Sequence, residues 1–271
     1  MSDDELLAHL ETYYDAVPRG RADTEQIGPL TLFVARSGWP YYARPSLGGA
    51  SPISVDDVRR VLDRQRKLGV PLSLEWVAET TPGLEQAAMA AGMRVEHCPL
   101  LVLEGEPAGG AGTARMLGPG DAADLALSRA AISVSFEAGG IGRGGEGLAA
   151  RDAARDAPFA QVNDTLRDRL AEGAIRAAAA YVSEQPELGP VGGGSHTPVG
   201  AISEIAGVGV LPAFRQRGLA GALTYVLARD ALDHGVTTVF CSAQSIDVAR
   251  IYARVGFRQV ATACIASLPT P

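Results

Sequence analysis

Residues 204–222 constrain this chain more than any other stretch: Glu-Ile-Ala-Gly-Val-Gly-Val-Leu-Pro-Ala-Phe-Arg-Gln-Arg-Gly-Leu-Ala-Gly-Ala. The first part is apolar and β-branched and reads as a strand. Pro212 has no N–H for a ladder and ends it. Arg215, Arg217, Gly218, Ala220 and Gly221 follow directly, and helical spacing begins at about Leu219. The order is therefore strand, short basic turn, helix N-terminus. The first turn of a helix has unpaired N–H groups and a partial positive charge. Gly218 lets the backbone come close to a phosphate, and two arginines add charge-assisted donors. Such a turn suits an anion.

Arg215-Gln216-Arg217-Gly218-Leu219-Ala220 resembles the Arg/Gln-x-x-Gly-x-Gly/Ala pyrophosphate loop of the GCN5-related N-acetyltransferase (GNAT) family. Val208-Gly209-Val210-Leu211-Pro212 looks like that family's fourth strand. Further on, Ala249-Arg250-Ile251-Tyr252-Ala253-Arg254-Val255-Gly256-Phe257 is similar to its helix-4 signature, with Tyr252 four residues before a Gly-Phe pair. The two motifs stand in the family's order, and the resemblance covers about residues 112–271. It implies an α/β fold, a mixed central sheet flanked by helices, and transfer of an acetyl group from acetyl-CoA to a primary amine by direct attack.

The resemblance also implies site residues. Arg215, Gln216, Arg217, Gly218, Leu219, Ala220 and Gly221 would hold the pyrophosphate. Backbone N–H groups around Gly209, Val210 and Leu211 would bind the acetyl carbonyl and the pantetheine amides. The glycines at 207 and 209 favour a bulge that splays the strand there. Glu204 lies 13 residues before Arg217, where histone-type members carry a general base. Tyr252 would give a proton to the leaving thiolate. Many members have an Asn near the start of helix 4 that touches the cofactor arm; this chain has Ser245 there.

The 271 residues suit two domains, and 46% apolar content is enough for a packed core. A net charge of −7 argues against general nucleic-acid binding, so an anionic ligand needs a local basic site. The start, Ser2-Asp3-Asp4-Glu5, is the opposite of a basic signal-peptide start. No apolar run reaches the roughly 18 residues that span a bilayer. Cys98, Cys241 and Cys264 have no disulfide or zinc spacing and read as buried, reduced thiols of a cytoplasmic protein.

Along the chain, residues 2–17 read as a helix capped by Asp3 or Asp4 and stopped by Pro18. Leu30–36 reads as a strand, followed by the aromatic turn Gly38-Trp39-Pro40-Tyr41-Tyr42. Ser54 caps a helix to Leu68 that Gly69 closes. Strands at 72–77 and 95–103 flank a helix at 82–91. In the second half, 113–117 is a strand, Asp121 caps a helix to about 133, and Pro158 starts one to about 172. Residues 174–182 and 199–203 are strands, with a Gly/Pro-rich turn at 184–198 that holds His196 in solvent. A strand follows at 237–241, then a helix ending at Gly256, then a strand at 258–266.

Gly69 and Gly92 stand 23 residues apart, and Gly235 and Gly256 stand 21 apart, each pair bracketing a strand and a helix. This is a weak internal repeat. It assigns residues 1–105 to a degenerate GNAT-like half, 106–112 to a linker, and 113–271 to the catalytic half. The first half lacks the loop and has Ala88 where the second has Tyr252.

Residues 142–147 spell Gly-x-Gly-x-x-Gly, but no strand runs into them, so a dinucleotide oxidoreductase is disfavoured. Two readings stand beside each other: an acetyl-CoA-dependent N-acetyltransferase, or a non-catalytic acyl-CoA-binding or regulatory module. No metal is implied. The residues leave open whether the acceptor is a small-molecule or a peptide amine, and whether the chain forms a homodimer.

Overall fold

The computed structural model describes residues 2–36, 40–49, 52–157 and 160–268. Gly38, Trp39 and Pro158, assigned above to a turn and a helix start, lie outside the described residues. The chain divides into two compact units. One contains Met1–Leu100 and Val260–Pro271, the other Leu101–Gln259.

The first unit opens with α1 (Asp3–Arg19). Ser2, not Asp3 or Asp4, is its cap: the Ser2 hydroxyl accepts from Glu5 N–H while the Glu5 carboxylate accepts from Ser2 N–H. Pro18 does not stop the helix. It lies in the last turn, and the helix continues to Arg19. Then come β1 (Ala22–Ile27), β2 (Leu30–Ala35), β3 (Ala43–Pro45), α2 (Val55–Leu68), β4 (Ser73–Val77), α3 (Leu84–Ala90) and β5 (Arg94–Leu103). Strands β1 and β3 were not anticipated, because one is polar and the other has three residues. The core gathers Leu30, Leu32, Val58, Leu62, Leu74 and Trp76. Strand β11 (Phe257–Ser267) pairs antiparallel with β4, from Ala263 opposite Val77 to Ser267 opposite Ser73.

The second unit runs β6 (Ala114–Leu117), α4 (Ala122–Ala138), α5 (Leu148–Ala154), α6 (Asp164–Ala171), β7 (Arg176–Ala180), β8 (Gly192–Val199), β9 (Ile202–Val210), α7 (Leu219–Asp233), β10 (Thr238–Ser242) and α8 (Ile246–Ala253). Its strands lie in the order β10-β9-β8-β7-β6, with β9 and β10 parallel and the other neighbours antiparallel. Asp121 does not cap α4 through its side chain; that carboxylate accepts from Gly118 N–H and from Arg115 instead. The sequence β7-β8-β9-α7-β10-α8-β11 repeats the first unit's β1-β2-β3-α2-β4-α3-β5, strand for strand and helix for helix. No helix among the described residues is long and apolar enough to cross a membrane.

The second part of the expected turn at 184–198, from Gly192 on, is strand β8. Its glycines serve packing, not turning. A Cβ on Gly193 would come within 2.9 Å of Ser128 Cβ and 3.2 Å of Ser128 O on α4. One on Gly194 would come within 3.0 Å of Leu227 Cδ1 on α7. Adjacent strand residues face opposite ways, so α4 presses on one face of the sheet and α7 on the other. Helix α8 joins α7 through Ala249 and Tyr252, while α5 and α6 join α4. Gly193→Val is expected to push α4 outward and cost about 1–3 kcal/mol. A lower urea midpoint at unchanged slope would show it; an unaltered midpoint would mean that α4 gives way freely.

Candidate functional site

Strand β9 carries the expected bulge. Gly193 pairs with Gly209 and Ser195 with Ala206, so β9 holds one extra residue, and Gly207 adopts φ 66° there. Beyond the bulge, Gly209 and Val210 are buried and face Gly193 and Gly192 across the ladder. Leu211 is fully buried and its N–H donates to Val191 O at 2.9 Å. Of the three backbone groups proposed for the acyl arm, that one is already paired.

Glu204 lies on β9, flanked by Phe240 on β10 and Thr197 on β8. It is half-buried in an interior strand. Its neighbours Ser203 and Ile205 face α7, Ser203 through His196 and Ile205 in the α7–α8 core. Alternation therefore turns Glu204 to the α4 face. Ala206, on that same face, is exposed, so α4 leaves the sheet uncovered beside Glu204. Tyr252 sits on the opposite side, in the core formed with α7 and α8, its ring 6.0 Å from that of Phe257. Burial raises the Tyr252 phenol far above its ordinary pKa, and Cys241 and Glu204 push the same way. Cys241 is raised by burial and by Glu204 as well. The two catalytic candidates thus feel each other across the sheet without sharing a face.

The turn after β9 is built for close approach. A short 3-10 turn, Pro212–Phe214, leads to Gln216, which has φ 63° despite its side chain, and to Gly218 at φ 78°. Gly218 is the N-cap of α7 and provides no side-chain cap. The first internal bond of α7 runs from Ala222 N–H to Gly218 O, so the N–H groups of Leu219, Ala220 and Gly221 precede it. No acidic residue stands in the first turn. Gln216, Arg217 and Gly218 are exposed. The Arg217 guanidinium lies over the Phe214 ring at 5.4 Å. Ser245 is exposed and caps α8, its hydroxyl accepting from Val248 N–H at 3.3 Å.

The corresponding helix of the first unit is closed to anions. At the start of α2 the Ser54 hydroxyl accepts from Asp57 N–H, and the Asp57 carboxylate accepts from Ser54 N–H and Oγ. The Ser54 hydrogen bond, helped by Arg60, holds the Asp57 carboxyl below the usual carboxylate range. Two carboxylates, Asp56 and Asp57, occupy the first turn. A side-chain anion already fills the place where α7 offers bare N–H groups.

Two sets of residues had escaped the sequence reading. His196 is fully buried on β8, not solvated in a loop. Its Nδ1 is 2.8 Å from Ser203 Oγ and its Nε2 2.9 Å from Asp230 Oδ2. Arg176 donates to both oxygens of Asp230. Period-2 placement of His196 on a strand would have been the signal, but the surrounding Gly and Pro read as turn. The second set is the surroundings of Arg215, whose guanidinium bonds to backbone oxygens 73 to 80 residues away. The loop at 139–147 has no strand before it; it joins α4 to α5 and lies against the turn at 212–215.

Residues 149–257 match the profile of the Acetyltransferase (GNAT) family. No curated protein matches the sequence. Among solved structures, a GCN5-related N-acetyltransferase from Kribbella flavida shares 22% identity at TM-score 0.68, over 98% of this chain and 96% of its own. A GCN5-related N-acetyltransferase from Sphaerobacter thermophilus shares 16% at TM-score 0.56, over 89% and 81%. A tandem GNAT protein of the clavulanic acid biosynthesis pathway shares 15% at TM-score 0.53, over 100% and 98%. At these identities the likeness establishes the fold. The chain has the GNAT fold along its length, and residues 149–257 carry the match to the acetyltransferase (GNAT) family profile.

Proposed function

We propose that the chain is an N-acetyltransferase that moves the acetyl group of acetyl-CoA to a primary amine, with its site in the second unit. The observation that carries this is the uncapped, acid-free N-terminus of α7 behind Gln216, Arg217 and Gly218. It supports pyrophosphate binding there, whereas the self-capped α2 disfavours it in the first unit. Backbone N–H groups at 216–221 and the Arg217 guanidinium would hold the phosphates. Gly209 and Val210 would line the acyl arm, and Ser245 at the start of α8 would stand beside it. We read residues 1–105 and 113–271 as the two sequence halves, joined by 106–112, and place the protein in the cytoplasm.

Acyl transfer needs a base for the amine and a donor for the thiolate. These act on different atoms and need not touch. Glu204 faces the open patch at Ala206, where an amine can reach it. Tyr252 keeps its proton through neutral pH and can give a hydrogen bond as charge develops on sulfur. Acetyl-CoA supplies the activated acyl group, and the chain supplies position and proton handling. The acceptor is a small-molecule or peptide amine.

Thermal unfolding with acetyl-CoA, CoA and NAD tests the reading. At a concentration about 100 times its dissociation constant, a ligand adds about 2.7 kcal/mol, or roughly 5–10 °C for a chain of this size. Both CoA compounds are expected to shift the wild type, and Arg217→Glu is expected to lose the shift. A shift with NAD alone would overturn the transferase. Binding without acetyl transfer to any amine of a broad panel would favour the non-catalytic acyl-CoA module.

A further inference from the structure

A guanidinium has five N–H donors, and all five of Arg215 end on protein oxygens. Nε donates to Val210 O at 3.2 Å. Nη1 donates to Gly139 O at 2.7 Å and Gly142 O at 3.1 Å. Nη2 donates to Ser135 O at 2.9 Å and Ser135 Oγ at 3.2 Å. None is left for a phosphate, although this arginine opens the loop motif.

The five acceptors belong to three pieces of chain. Ser135 and Gly139 are the last turn and the cap of α4, which has no basic residue of its own there. The carbonyl end of a helix carries partial negative charge, and Arg215 supplies the cation from far along the sequence. Gly142 belongs to the loop after α4, and Val210 is the end of β9. Three further bonds fix the same junction. Gly144 N–H donates to Pro212 O at 3.2 Å, Ala213 N–H to Glu146 O at 3.0 Å, and Arg143 Nε to Arg215 O at 3.3 Å. Helix α4 also forms the wall over the bulge: a Cβ on Gly209 would come within 3.2 Å of Ile132 Cα.

We infer that Arg215 is a positioning residue that fastens the end of α4 and the loop at 139–147 to the cofactor turn, and not a phosphate ligand. The wall of the acceptor side and the turn that holds the nucleotide then move as one piece. Ordering the turn orders the wall. Only the identity of the occupant, CoA, rests on the function proposed above.

Hydrogen exchange of the full chain, with and without saturating CoA, distinguishes the cases. In the wild type CoA is expected to slow exchange about tenfold at 216–222 and also at 136–147. In Arg215→Gln and Arg215→Lys, CoA is expected to bind within about threefold of wild type and to protect 216–222, while the added protection at 136–147 disappears. A role in stability alone would lower the protection of the free protein but leave that added protection in place. Retained added protection at 136–147 overturns the inference, and so does a CoA dissociation constant raised about tenfold or more, the mark of a direct phosphate contact. If the wild type binds no CoA, the acyl-CoA reading fails and the tie is judged on the free protein. Arg215→Gln must then speed exchange at 136–147, and unchanged exchange there overturns it. Should Arg215→Gln not fold, Arg215→Lys carries the same comparison.

Discussion

Tyr252→Phe is expected to lower acetyl transfer about 10²–10⁴-fold, the usual span for loss of a positioned proton donor. CoA affinity is expected to stay within about threefold, because the substitution removes one oxygen and leaves the packed ring in place. The phenol is only 6% exposed. Burial, then Cys241 and Glu204, hold its pKa far above the ordinary value. The proton therefore stays on oxygen throughout the working range, and no alkaline loss of activity should trace to this residue. The first unit makes the natural control, since Ala88 stands at the matching place and no donor exists there. The measurement is turnover with the first amine found by panel screening, beside free-thiol release without amine. Unchanged turnover would reduce Tyr252 to a core tyrosine that packs on Phe257.

The second large effect concerns stability. Asp230→Ala is expected to cost about 3–5 kcal/mol, because it leaves buried His196 and part-buried Arg176 without their shared acceptor. The Asp230 side chain is 10% exposed, so water replaces little of what is lost. Burial alone would raise the pKa of this carboxyl. The hydrogen bonds from His196 and Arg176, and the charge of Arg176, outweigh that and hold it well below the usual range. A depressed carboxyl contributes stability that is present above its unfolded pKa, about 3.9, and lost as pH falls toward its folded value. The gap between wild type and Asp230→Asn should therefore narrow as pH drops below about 4. Circular dichroism or exchange within α7 should be read, since the segment Leu101–Gln259 contains no tryptophan. A cost under about 0.5 kcal/mol would place Asp230 among ordinary surface positions.

What could be read from sequence was what is written in consecutive residues. The strand, turn and helix at 204–222 and the helix around Tyr252 each carry their signal within about twenty positions, and the structure forms both. The repeat of strand and helix order was legible for the same reason. What escaped depends on partners far along the chain. Arg215 stands in the motif, yet four of its five acceptors are 73 to 80 residues away, and composition gives no hint of them. Gly192, Gly193 and Gly194 look like a turn because glycine favours turns. The reason for two of them is the approach of two helices that no local pattern announces. The same composition makes His196 read as a solvated loop residue, although it is fully buried. Pro18 shows the reverse case: a residue that usually ends a helix lies inside this one, one residue before its end.

The pairing of β11 with β4 has a consequence for synthesis on the ribosome. The strand that completes the N-terminal sheet is made only after the whole second unit. Leu101–Gln259 must be translated first, which takes roughly 10–30 s at ~5–20 residues per second. Throughout that interval the nascent first unit presents β4, with Leu74, Trp76 and Val77, as an unpaired apolar edge. Such an edge invites chaperones or a neighbouring nascent chain. A premature stop just after Gln259 would thus damage the half of the protein that had been synthesised first.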